Sequence, residues 1–181
     1  MNTFFSHINW SLLVASGVAI FTVISYILTR RRELAWRRTE FLCAQSQYLD
    51  NDPDLVEVVK ILEDRHPDIT VSQIFDDGSK LDDVKRKEYL QKFDKLLNLL
   101  WRLCYAYLET KTISRKEIEG FGWYLICISE YPSMVKYCDE NGYEDINIVF
   151  NRLKRLWEKE EDAKPDAEQL IQPDSPIAFL S

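Results

Sequence analysis

From Ile8 to Leu28 the chain reads INWSLLVASGVAIFTVISYIL, a run with neither charge nor proline. An α-helix rises about 1.5 Å per residue, so about 20 such residues cross the roughly 30 Å hydrocarbon core of a bilayer. The run therefore predicts a transmembrane helix over residues 8–29. Secretory signals place basic residues before a shorter apolar stretch and end in a small-residue cleavage site. Here the charge comes after the stretch, and cleavage is not expected.

The flanking charges set a direction. No Lys or Arg precedes the run, whereas Arg30, Arg31, Arg32, Arg37 and Arg38 follow it. Cationic flanks stay on the cytoplasmic face, so residues 1–7 are expected outside and everything after the span inside. Trp10 and Tyr26, near the two ends, fit interfacial anchoring, with the five arginines marking the inner boundary. Ser11, Ala15, Ala19 and Thr22 fall on one helical stripe, a spacing that lets two membrane helices approach closely. Ordinary span composition produces the same residues.

Charge also divides the chain. The net charge is -7, yet residues 1–38 hold five Arg against one Glu, leaving residues 39–181 at -11. Phosphate neutralisation needs a clustered basic surface, so an acidic body excludes general nucleic-acid binding. Cys43, Cys104, Cys127 and Cys138 show no C-x-x-C spacing. They are expected to act as small structural hydrophobes rather than as a disulfide scaffold or zinc site.

Residues 30–50 contain no Gly or Pro, so the membrane helix is expected to continue as an Arg-rich stalk to about Asp50. Leu34, Phe41 and Tyr48 recur there at heptad spacing with Ala44 between them, a pattern that can seat a second helix. Asp52-Pro53 is a helix start, with Leu55, Val58, Val59 and Leu62 as the inner face and His66-Pro67 as the stop. A single helical turn is expected around Thr70–Phe75, before an Asp76-Asp77-Gly78-Ser79 loop. The longest following helix carries a stripe of Val84, Tyr89, Phe93, Leu96, Leu97, Leu100, Leu103, Cys104 and Tyr107, with Lys85, Glu88, Lys92 and Asp94 off it.

Ser114-Arg115-Lys116-Glu117 is a capping box opening one further helix, with Ile118, Phe121, Leu125 and Ile128 inside. Gly120 and Gly122 lie within it, where they would let another helix come close. Pro132 starts a short helix that Gly142 closes, and Ile146, Val149, Phe150, Leu153 and Trp157 mark the last one. Residues 51–161 thus read as an all-α cytoplasmic bundle of about five helices. Residues 162–181 read as a disordered acidic tail ending in an apolar Ile-Ala-Phe-Leu-Ser. Trp101 and Trp157 are expected inside, and Trp36 at the membrane interface.

Catalytic parts are missing. Only His7 and His66 are present, too few for paired-His metal binding or a Ser-His-Asp relay. Gly120-Phe121-Gly122 follows no strand and lacks the later glycine of a dinucleotide fingerprint. Asp50/Asp52/Asp54, Asp76/Asp77 and Asp82/Asp83 read as a helix cap, a loop and a helix start rather than as cation sites. No enzyme activity, cofactor or metal is expected.

The single N-terminal span, the stalk RRRELAWRRTEF, the helix start LDNDPDLVEVVKIL and the late blocks LLNLLWRLCYAYLETKTIS and YPSMVKYCDENG together resemble a group of bacterial single-span membrane proteins. That group is catalogued only as a domain of unknown function. The resemblance implies a bacterial inner-membrane setting and this architecture, and brings no catalytic residue with it. The expected role is a membrane-anchored protein-interaction module at the cytoplasmic face. The alternatives are an accessory subunit held in a larger complex through its span, and an oligomerising membrane-perturbing effector. The expected partners are the lipid bilayer, another protein, and a second copy of the span.

Overall fold

The computed structural model describes residues 10–76 and 81–162 of the chain. The expected outer segment at 1–7, Asp77, Gly78 and Ser79 of the expected loop, and the tail beyond Asp162 lie outside the described residues. Among the described residues all regular structure is helical: α1 (Trp10–Asn51), α2 (Pro53–Leu62), α3 (Val71–Phe75), α4 (Asp83–Leu108), α5 (Arg115–Glu119), α6 (Gly122–Glu130), α7 (Pro132–Glu140) and α8 (Glu144–Asp162). The chain divides into two compact units, the first ending at Tyr48 and the second beginning at Leu49.

The first unit is α1 up to Tyr48. With no Gly or Pro between Val18 and Asn51, nothing interrupts its hydrogen-bond ladder, and apolar stretch and stalk form one continuous helix. Val18, Ile20, Phe21, Val23, Ile24 and Tyr26 are all exposed, and at about 100° per residue they point to every side of the helix. A helix that is apolar all round has no use for water on any face. This helix is long and apolar enough to cross a membrane by length and composition. Leu34, Ala44 and Tyr48 of the heptad pattern are exposed as well, as is Cys43, which sequence reading treated as structural.

The second unit is held together by α4. It packs against α2, α3, α5 and α8, while α7 packs on α3, α6 and α8, and α6 on α8. Phe93, Leu96, Leu97, Leu100, Leu103 and Cys104 of the expected α4 stripe are buried, together with Leu99 and Ala106 beside it. Val84, in the first turn of α4, was expected on that stripe but is 75% exposed. Trp101 and Trp157, expected inside, are only half-buried. Their indole N–H groups need polar partners, which the rim of the core supplies.

Helix punctuation explains most boundaries. Asp52 caps α2, its Oδ1 accepting from the backbone N–H groups of Asp54 at 2.9 Å and Leu55 at 3.3 Å. The end of α2 differs from expectation: it stops at Leu62, before His66-Pro67 is reached. Asp64 adopts the left-handed region (φ 54°). Its N–H donates to Ile61 O at 3.1 Å, while Arg65 N–H donates to Lys60 O at 2.8 Å, a Schellman close without glycine. Gly142 (φ 82°) ends α7 in the same way, with Tyr143 N–H donating to Cys138 O at 2.8 Å.

The helix expected to run through Gly120 and Gly122 is in fact two. Ser114 and Glu117 form the capping box of α5. After Glu119 the ladder tightens to a three-residue bond from Phe121 N–H to Ile118 O at 2.9 Å, and α6 restarts at Gly122. Phe121 sits at φ -103°, ψ 7°, outside helical geometry. Two glycines flanking one residue make a helix weak enough there to bend.

Candidate functional site

The stripe named from sequence is present on α1. Ala15, Ala19 and Thr22 are exposed, and the Thr22 hydroxyl donates to Val18 O at 2.8 Å. The face therefore offers small side chains and no unsatisfied hydroxyl from Thr22. Ser11 and Trp10 belong to the helix, but their side chains lie outside the described residues. Tyr26 is 69% exposed at the other end of the apolar stretch.

The arginines are not equivalent. Glu33 accepts from Arg30 at 3.2 Å and from Arg37 at 2.6 Å, the i,i+3 and i,i+4 spacings that bring helix side chains together. The Arg30 hydrogen bond, then the Arg37 charge, hold the Glu33 carboxyl below its usual range. Arg31 and Arg32 are exposed and carry no ion pair to any described residue. Glu33 thus withdraws two of the five cations into a local triad and leaves those two adjacent ones available.

In the second unit the structure reveals a polar cluster that sequence reading missed. Glu57, on α2, accepts from Lys92 Nζ at 2.8 Å and from the Tyr89 hydroxyl at 3.1 Å. His66 Nε2 lies 3.4 Å from the same carboxylate. The His66 Nδ1 accepts from the backbone N–H groups of Asp68 and Ile69, which leaves Nε2 to carry the ring proton toward Glu57. The Lys92 hydrogen bond is the main reason the Glu57 carboxyl is held below its ordinary range, against the opposing effect of burial. Burial alone would lower Lys92, but Glu57 and Glu88 raise it overall. Lys92 read as a solvated residue off the apolar stripe; Glu57, flanked by Val56 and Val58, was the available signal of a half-buried carboxylate that would need a partner. These contacts fasten α2 to α4.

A second polar tie runs from Tyr137, whose hydroxyl donates to Asp94 Oδ1 at 2.9 Å. Cys104, Cys127 and Cys138 are buried free thiols. Burial pushes Cys127 up to about 11 and Cys138 up to about 12, out of the reactive range. No group of three or more His, Cys, Asp or Glu side chains able to hold a metal occurs among the described residues.

A cleft of about 480 Å³ lies within the second unit, lined by Leu49, Asp50, Val56, Val59, Lys60, Glu63, Arg65, Pro67 and Tyr124. Val59 was expected in the core and instead forms part of this wall. Two acidic and two basic side chains face an apolar floor, a lining suited to an amphipathic segment rather than to a strongly charged ligand. Burial, then the Asp50 and Glu63 carboxylates, raise the Tyr124 phenol. The Trp123 ring stands 5.0 Å from that of Tyr124, and Trp123 is 42% exposed. Ile126, three residues on, is also exposed.

No family model matches the sequence, and neither a curated protein nor a solved structure does. The functional argument rests on the residues described above.

Proposed function

We propose that this chain is a membrane-anchored helical interaction module. The apolar part of α1 crosses the bilayer, residues before it face outward, and α2–α8 form a bundle on the cytoplasmic face that docks another protein. The observation that carries this reading is α1 itself, whose apolar side chains from Val14 to Leu28 are exposed on every side and are followed by five arginines. The backbones of Trp10 and Arg30 are about 30 Å apart along the axis, the thickness of a hydrocarbon core. The setting we assign is the bacterial inner membrane, following the resemblance of stalk and helix starts.

Docking is supported by the cleft lined by Tyr124 and by the exposed Trp123 ring that packs against Tyr124, since exposed aromatic anchors are typical binding hot spots. Binding requires none of the missing catalytic parts. The experiment is removal of residues 1–29. The shortened chain is expected to be soluble and helical, to unfold cooperatively, and to capture the protein that co-purifies with the full chain in mild detergent. A truncated chain that folds but no longer captures that protein contradicts the docking role of the second unit.

A second reading, an accessory subunit held through its span, is favoured by the exposed Ala15/Ala19/Thr22 face with the Thr22 hydroxyl already satisfied. Such a face allows close helix approach without leaving that donor unmet in lipid.

A further inference from the structure

Because α1 is unbroken from Trp10 to Asn51, the depth of each stalk residue follows from the helix rise. The inference rests on the spanning reading, with Leu28 at the inner edge of the hydrocarbon. Arg30, Arg31 and Arg32 then stand about 3 to 6 Å beyond that edge, and Arg37 and Arg38 about 13 to 15 Å beyond it. The headgroup layer is only about 5 to 8 Å thick on each side. Three guanidinium groups therefore reach phosphate depth, while Arg37 and Arg38 start in water.

Of the three at phosphate depth, Arg30 is held by Glu33 at 3.2 Å. Arg31 and Arg32 are exposed, with no ion pair to a described residue. About 100° separates successive residues on a helix, so the two side chains diverge and address different lipid molecules. A guanidinium binds a phosphate through two parallel N–H donors. In phosphatidylcholine the headgroup's own ammonium competes for that phosphate; phosphatidylglycerol carries no such group.

We propose that Arg31 and Arg32 form an anionic-phospholipid site in the cytoplasmic leaflet, and that Glu33 limits its strength by withholding Arg30. Net charge alone cannot reproduce this, because it makes every arginine equal. Arg31 and Arg37 differ only in depth and in the presence of Glu33.

The test uses the full chain in vesicles of phosphatidylcholine mixed with phosphatidylglycerol. A fluorescent donor is attached at Cys43, the exposed cysteine among three buried ones. Energy transfer is compared for trace acyl-chain-labelled phosphatidylglycerol and phosphatidylcholine. The wild-type chain should enrich the anionic probe, and Arg31→Gln or Arg32→Gln should each reduce that preference about fivefold. Arg37→Gln should leave the preference nearly unchanged, and Glu33→Gln should raise it. Equal transfer to both probes in the wild type, or equal losses from Arg31→Gln and Arg37→Gln, would overturn the proposal while leaving the span intact. A chain that fails to float with the vesicles overturns the spanning reading itself.

Discussion

Gly122 lies against the indole of Trp157: a Cβ added at Gly122 would stand 3.3 Å from two ring carbons of Trp157. The ring cannot easily retreat, since its Nε1 donates to Glu119 Oε1 at 3.2 Å and Glu119 is itself held by Arg115 at 2.7 Å. This contact fixes where α6 meets α8. Gly122→Val should therefore lower stability by about 1 to 3 kcal/mol through overpacking, seen as a lower Tm by circular dichroism of the full chain in detergent. An unchanged or raised Tm would show that the ring yields.

The Glu57–Lys92 pair predicts a specific pH dependence. Glu57 is held below its ordinary value in the folded state, chiefly by Lys92. Its contribution is thus present above the unfolded carboxylate range and disappears as pH falls through the depressed folded value. Lys92→Met leaves a half-buried carboxylate with one partner fewer, and should cost about 1 to 2 kcal/mol near neutral pH. Between about pH 5 and about pH 3 the difference from wild type should shrink. Urea unfolding at several pH values checks this; a gap that widens in acid would contradict the pairing.

Asp64 is the opposite case, a residue that glycine should improve. It occupies the left-handed position that closes α2, where a Cβ is a burden. Asp64→Gly should raise stability by about 0.5 to 1 kcal/mol, measured by the urea midpoint. A loss would mean that the Asp64 side chain supports the turn.

These two helix ends also show what sequence patterns could and could not reveal. Gly142 was readable as a helix stop because glycine announces a left-handed residue. Asp64 was not, since aspartate usually signals a helix start and the conspicuous His66-Pro67 lay just beyond it. The Asp52 cap, the Ser114/Glu117 box and the buried α4 stripe from Phe93 to Cys104 follow local rules and were legible. Val84 and the two half-buried tryptophans depend on tertiary packing, which has no local signature. The Glu57 cluster was hidden for the same reason: Glu57 and Lys92 are 35 residues apart, and periodicity assigns faces rather than partners. At the stalk, composition identified five arginines, but only side-chain geometry separated those held by Glu33 from Arg31 and Arg32.

The small-residue face of α1 gives a prediction about assembly. If the span is held in a complex through Ala15 and Ala19, the double change Ala15→Leu/Ala19→Leu should release the chain from that complex by at least about tenfold in detergent pull-down, because bulk there prevents close helix approach. Membrane insertion should be retained, since leucine is more apolar than alanine. Undiminished co-purification would remove that face from the account.

The central claim is that the apolar half of α1 resides in lipid. Membranes from cells producing the full chain, washed with alkaline carbonate and sedimented, measure this directly. The account predicts that the chain stays in the pellet together with integral membrane proteins. Recovery in the supernatant would contradict it.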